Sequence, residues 1–159
     1  MALSVVAHGS VTTCNGMIGC FAATGRPYDM HPFKQLAVWR KAHDLAQRVF
    51  RTTTKIDWRV HPGLAQQMQR SAFSTVYNIV EGAGRDTPAQ FAHFLETAIG
   101  SAHELEYQLL LARDLGALEA AEHARLEARV VEVNRMLFGL RKAVLGKATR
   151  RPRRAAVSK

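Results

Sequence analysis

The sequence predicts an all-α protein, an up-down-up-down antiparallel four-helix bundle. Three observations predict it. Apolar residues recur at steps of three and four in four separate segments of the 159-residue chain. The connectors between them are mostly shorter than ten residues and carry glycine, proline or a helix-capping box. No segment shows the alternation of a half-buried strand.

The first helix is expected over residues 33–53. Leu36, Trp39, Ala42, Ala46, Val49 and Phe50 fall on one arc, with Val38 and Leu45 at its margin. The opposite arc carries Lys34, Arg40, Lys41, Arg48, Arg51 and Lys55 against the single acid Asp44, a net charge of +5. A connector with Asp57-Trp58-Arg59 and Pro62 leads to the second helix, expected over residues 63–83. Its stripe is Leu64, Met68, Ala72, Thr75, Ile79 and Gly82, and Gly82 and Gly84 are expected to end it.

Thr87-Pro88-Ala89-Gln90 is a capping box with proline at the first helical position, and it starts the third helix. Phe91, Leu95, Ala98, Ala102, Leu105, Leu109 and Ala112 form its core stripe, and Gly116 stops it. The fourth helix is expected from residue 119 to 145, roughly 40 Å long at 1.5 Å per residue. Leu126, Val130, Val133, Leu137, Leu140 and Val144 form a heptad-like seam, which calls for a nearly parallel or antiparallel neighbour. Gly146 is expected to end it.

Asn78, Glu81, Ser101 and Glu104 are polar groups set among apolar residues at helical spacing, and Arg70, Arg85 and Glu106 accompany them. Interior polar groups persist only when hydrogen-bonded, so this set reads as a device that fixes helix packing. Arg70 is expected to pair with Glu104 or Glu106 across the second and third helices, in preference to binding a phosphate. Gly100, Tyr107, Leu111 and Leu118 line up away from the core stripe of the third helix. A bundle helix apolar on two sides is buried twice, so these residues mark a self-association surface.

Composition limits the remaining possibilities. Residues 1–30 carry Arg26 and Asp29 and are net neutral, residues 31–146 are net +3, and residues 147–159 are net +6. The sequence pI of 10.3 therefore describes the tail more than the body. Residues 1–29 lack period, charge and capping signals, and are expected to be a disordered or untranslated extension, with translation starting at Met30. Met17-Ile18-Gly19-Cys20 loosely resembles a lipoprotein cleavage box but has no basic n-region or unbroken apolar run. Cys14 and Cys20 lie outside every periodic segment and suit neither a zinc site nor a disulfide framework, so a reducing, cytoplasmic setting is expected. No stretch approaches the ~20 apolar residues of a membrane span.

A di-iron site needs Glu-x-x-His on two helices, and no glutamate here is followed by histidine three residues on. Ser74, Ser101 and His103 lie mid-helix without an oriented base. Gly82-Ala83-Gly84-Arg85 follows a helix instead of a strand and fails as a phosphate cradle. No enzyme activity, metal or cofactor is expected. The functional lead is polyanion binding through the basic face of the first helix and the tail residues Arg150, Arg151, Arg153 and Arg154. The alternative is a protein–protein adaptor whose charged faces dock subunits or partners.

At these residues the chain resembles the four-helix-bundle family of 23S rRNA intervening-sequence proteins, small bacterial proteins first recognised inside insertions in large-subunit rRNA genes. The resemblance rests on Phe33-x-x-Leu36-x-Val38-Trp39-x-x-Ala42-x-x-Leu45, then Gly63-Leu64, Gln67 and Arg70. It continues through Ser74, Asn78-Ile79-x-Glu81-Gly82 and Arg85, then Phe94-Leu95, Ala98-x-Gly100-Ser101-x-x-Glu104-Leu105-Glu106 and Leu109. Ser71, Thr75, Val80, Ala89 and the connector around Trp58 depart from the family pattern. The resemblance implies a barrel-like homopentamer without enzyme activity. It also implies kinship with accessory proteins of diversity-generating retroelements, which bind reverse transcriptase and nucleic acid through a basic surface.

Overall fold

The computed structural model describes residues 32–57 and 59–149, with side chains through residue 146. Expectations placed on residues 1–30, on Trp58 and on Arg150, Arg151, Arg153 and Arg154 lie outside the described residues. A short 3₁₀ turn, Pro32–Gln35, leads into α1 (Ala37–Thr53), α2 (Leu64–Ala83), α3 (Pro88–Asp114) and α4 (Ala120–Thr149). No strand occurs among the described residues.

Each helix packs on its neighbours in a ring, α1–α2–α3–α4–α1, without a diagonal contact. Cross-helix pairs run in opposite order along the two helices at every seam. Thr53 meets Gln69 while Phe50 meets Phe73 between α1 and α2. Ser71 meets Glu104 while Ser74 meets Ser101 between α2 and α3. Glu96 meets Arg141 while Glu106 meets Asn134 between α3 and α4. Lys41 meets Glu132 while Thr52 meets Glu122 between α1 and α4. All four seams are therefore antiparallel, and the α1–α4 seam is the sparsest.

The core is filled by Leu45, Val49, Met68, Ile79, Leu95, Leu105, Leu109, Leu126, Val130, Val133 and Leu137. Fully burying each of these contributes about 1.5–3 kcal/mol relative to exposure. The core-facing arc of α1 is rotated from the expected one: Val38 and Leu45 are buried, whereas Phe50 is 47% exposed. The expected stripe counted Phe50 because it is apolar, but α1 is held by contacts from both α2 and α4, and Phe50 falls at the α2 edge.

Helix ends follow local chemistry. The Thr87 hydroxyl accepts the Gln90 N–H at 3.2 Å, and Pro88 follows at the first helical position. Gly116, at φ +72°, closes α3 with a Schellman motif: Ala117 N–H donates to Ala112 O at 2.8 Å and Gly116 N–H to Arg113 O at 2.9 Å. That reversal carries Leu118 into the core at 7% exposure, so Leu118 is not part of an outward surface. Beyond Asp114 the chain is no longer helical, and a helical wheel cannot place it.

Of the other three glycines expected as stops, Gly84 does follow the last residue of α2, and Gly82 and Gly146 need correction. Gly84 has φ −86° and does not use the left-handed region. Gly82 is buried because a Cβ there would stand 2.8 Å from Phe91 and Phe94, so its role is close packing of α3 on α2. Gly146 lies inside α4, which continues to Thr149. A helical glycine costs roughly 1 kcal/mol against alanine, which propensity alone does not turn into a stop.

Candidate nucleic-acid interface

All six cations predicted on α1 and its flanks, Lys34, Arg40, Lys41, Arg48, Arg51 and Lys55, are exposed. They are not all free. Lys41 Nζ lies 2.9 Å from Glu132 of α4. Arg48 Nε donates to Asp44 Oδ2 at 2.9 Å, and Arg129 Nη1 of α4 reaches the same oxygen at 2.6 Å. Thr52 Oγ1 donates to Glu122, which also pairs with Arg125 at 3.3 Å. Lys41, Arg48, Glu122, Arg125, Arg129 and Glu132 line a groove of about 430 Å³ between α1 and α4, with both signs of charge on its walls. Across the seam α4 supplies Glu122 and Glu132 together with Arg125 and Arg129, so the net +5 expected of this face stands while part of its charge is paired. A charge count along one helix cannot see them.

The Arg48 hydrogen bond holds the Asp44 carboxyl below the usual carboxylate range. The charges of Arg48, Arg129 and Lys41 act in the same direction, against an opposing contribution from burial. With Lys41 and Arg48 engaged, Lys34, Arg40, Arg51 and Lys55 remain without an acidic partner among the described residues. Arg40 and Arg51, the two on α1 itself, lie about 20° apart around its axis at 100° per residue.

The polar motif divides in two. Ser74 and Ser101 share a hydrogen bond of 2.8 Å across α2 and α3. Asn78 Nδ2 donates to Ser74 O at 2.8 Å and to Ser74 Oγ at 3.2 Å, which joins Asn78 to the same group. Glu81 and Glu104, expected inside, are exposed. Glu81 pairs with Arg85, whose guanidinium lies 4.7 Å from the Phe94 ring centroid. Glu104 accepts the Ser71 hydroxyl at 3.4 Å, and half-buried Glu106 accepts Asn134 Nδ2 at 3.2 Å. Arg70 pairs with neither: it is exposed on the outward side of α2 and has no acidic partner among the described residues. The packing of α2 on α3 aims Ser71 at Glu104, and that of α3 on α4 aims Glu106 at Asn134.

Of the predicted self-association residues, Gly100 is exposed with open space around it, Tyr107 is 63% exposed and Leu111 is half-buried. The structure adds Leu110 beside Tyr107, and Val131 and Phe138 from α4, all exposed. Phe138 lies 6.0 Å from the His103 ring. Val131, Phe138 and Leu145 recur at heptad spacing, a second apolar stripe that was available in the sequence but hidden behind the stronger core seam. Phe73 and Tyr77 flank the core stripe of α2, and Phe73 lies between Phe50 of α1 and Tyr77.

Among the described residues, no three His, Cys, Asp or Glu side chains converge as metal ligands, and no helix is long and apolar enough to cross a membrane. Fold and surface together define an all-α, antiparallel four-helix-bundle protein with a charge-laced seam and unpaired cations along one helix. The chain belongs to the family of 23S rRNA-intervening sequence proteins, whose family profile matches residues 34–139. A crystal structure from Bacteroides thetaiotaomicron VPI-5482, a protein of unknown function from the S23 ribosomal protein family, is similar with a TM-score of 0.60. The identity is 24%, covering 67% of this chain and 99% of that one, and the likeness shows the fold. No curated protein matches the chain.

Proposed function

We propose that this protein is a non-catalytic homo-oligomer, assembled as a pentamer, that binds RNA or DNA through α1 and its C-terminal basic cluster. The observation that carries the reading is the set of exposed cations left after ion pairing, Lys34, Arg40, Arg51 and Lys55. Arginine and lysine side chains without acidic partners displace counterions from phosphates. Arg150, Arg151, Arg153 and Arg154 add a cluster of the same sign close behind α4 in sequence. Nothing on α1 is shaped to read base edges in a groove, so sequence preference should be weak.

The seam dictates which residues to change. Reversing Lys41 or Arg48 would set a glutamate against Glu132 or Asp44 and loosen α1 from α4. Arg40→Glu with Arg51→Glu leaves the seam intact and should abolish binding of RNA or duplex DNA at low salt. Deleting residues 147–159 should reduce both affinity and salt slope. Both variants must keep the wild-type oligomeric state. Equal affinity for wild type and a properly assembled Arg40→Glu/Arg51→Glu variant would overturn the reading. It would favour an adaptor, such as an accessory protein of a reverse transcriptase, for which the exposed Tyr107, Leu110, Val131 and Phe138 offer a contact surface.

A further inference from the structure

Aromatic rings run along the outer edge of the α1–α2 seam. Phe33 meets Trp39 edge-on at 5.0 Å, and Trp39 stacks on His43 at 5.4 Å with an interplanar angle of 16°. Further along, Phe50 lies 6.3 Å from Phe73, which lies 6.3 Å from Tyr77. Tyr77 is 66% exposed, His43 and Phe50 are exposed, and Trp39 and Phe73 are half-buried. Trp39 to Phe50 spans roughly 16 Å along the helix axis. The half-buried rings anchor the row, and the exposed ones offer free π faces.

The charges beside this row are one-sided. α1 and α2 contain one acid each, Asp44 and Glu81, and arginines engage both. Arg40, Arg51 and Arg70 are exposed and lack an acidic partner among the described residues. Arg40 and Arg51 are about three turns apart on one side of α1, and Arg70 lies about two turns before Tyr77 on the outward side of α2. Guanidiniums therefore border the aromatic row on both helices.

We infer that the α1–α2 seam is a platform for single-stranded nucleic acid, with bases stacked on Tyr77 and Phe50 and phosphates held by Arg40, Arg51 and Arg70. Exposed aromatics interleaved with unpaired cations match the two chemistries of a single strand, a π face on every base and a charge on every phosphate. A duplex offers only the second, since its bases already stack on one another. The apolar α3–α4 surface of a second copy is the competing occupant, and the oligomeric state of the variants below separates it from a nucleic acid. The inference rests on the nucleic-acid reading above and sharpens it from polyanion to unpaired strand.

The test compares a fluorescent oligouridine with an RNA duplex of equal length at matched salt, using the full chain. Wild type should prefer the single strand. Phe50→Leu with Tyr77→Leu keeps apolar bulk at exposed positions and removes the π faces. It should weaken single-strand binding on the order of tenfold per ring, with duplex affinity unchanged. Arg70→Glu, on a helix outside the α1 face, should weaken the single strand too. Single-strand affinity unchanged in the double leucine variant, while Arg40→Glu/Arg51→Glu abolishes binding, would remove the platform and leave the electrostatic reading standing. No binding of either probe by wild type at low salt would end both readings. Dissociation of the oligomer by the leucine variant, with nucleic-acid affinity intact, would assign this face to subunit contact and overturn the inference.

Discussion

At Asp44 two guanidiniums, one from its own helix and one from α4, converge on a single carboxylate oxygen. The carboxyl is held below its ordinary range chiefly by the Arg48 hydrogen bond, so it is the ionised form that fastens α1 to α4. Its contribution to stability is fully present above the unfolded carboxylate pKa of about 3.9, and is lost as pH falls through the lowered folded value. The side chains are 37–47% exposed, so solvent screening keeps the contribution small. Asp44→Asn should cost about 1 kcal/mol or less at pH 7 and flatten the loss of stability below about pH 4 in urea melts. An acid limb as steep as that of wild type would remove Asp44 from the account. A larger effect is expected at Gly82, where a methyl group would collide with the Phe94 Cβ and the Phe91 ring at 2.8 Å. The Phe94 Cβ is fixed to the backbone and cannot swing aside, so Gly82→Ala should destabilise by about 1–3 kcal/mol despite alanine's better helix propensity. A thermal midpoint at or above that of wild type would show that α3 can move away.

Among the elements, α3 has the best-defined limits, a threonine cap with proline at one end and a Schellman glycine at the other. Thr87→Ala removes the acceptor for the Gln90 N–H and should cost about 1 kcal/mol, read by chemical denaturation against an unchanged m-value. Both ends of α3 were legible because caps are local chemistry, written in the residues that perform them. The core positions of α2, α3 and α4 were legible for a related reason: Met68, Ile79, Leu95, Leu109, Val130 and Leu137 repeat at the helical period and are buried. Legibility failed wherever the deciding partner sits on another element. The cations of α1 could be read, but not the α4 groups that meet this helix, Glu132 at Lys41 and Arg129 at Asp44, because opposite charges meet through register and not through spacing. Gly146 resembles a stop, yet only Gly63 and Gly116 among the described glycines adopt positive φ. The aromatic row went unseen for the same cause, since Phe50 and Phe73 become neighbours only when α1 lies against α2.

Across the whole molecule, the two outer faces carry different chemistry. The α1–α2 side combines open rings with unpaired arginines, whereas the α3–α4 side gathers Tyr107, Leu110, Val131 and Phe138. Apolar groups of this size on a bundle's exterior mark a contact surface. In the proposed ring of identical subunits that contact would be heterologous, so the patch would meet a different part of the next copy and the cationic faces would be repeated around the ring. Repetition raises the local potential and allows one long strand to engage several subunits. Assembly and nucleic-acid binding should then be separable by strand length. Tyr107→Glu with Phe138→Glu places charge at two exposed positions, so helicity should be unchanged by circular dichroism while light scattering shows the oligomer reduced to monomer. The monomer should retain wild-type affinity for an oligonucleotide short enough for one subunit. It should lose affinity for a long strand by the avidity factor, on the order of a hundredfold or more. Wild type that is already monomeric at micromolar concentration would remove the interface. Equal affinity of monomer and oligomer for a long strand would leave the α1–α2 face as a site that works one subunit at a time.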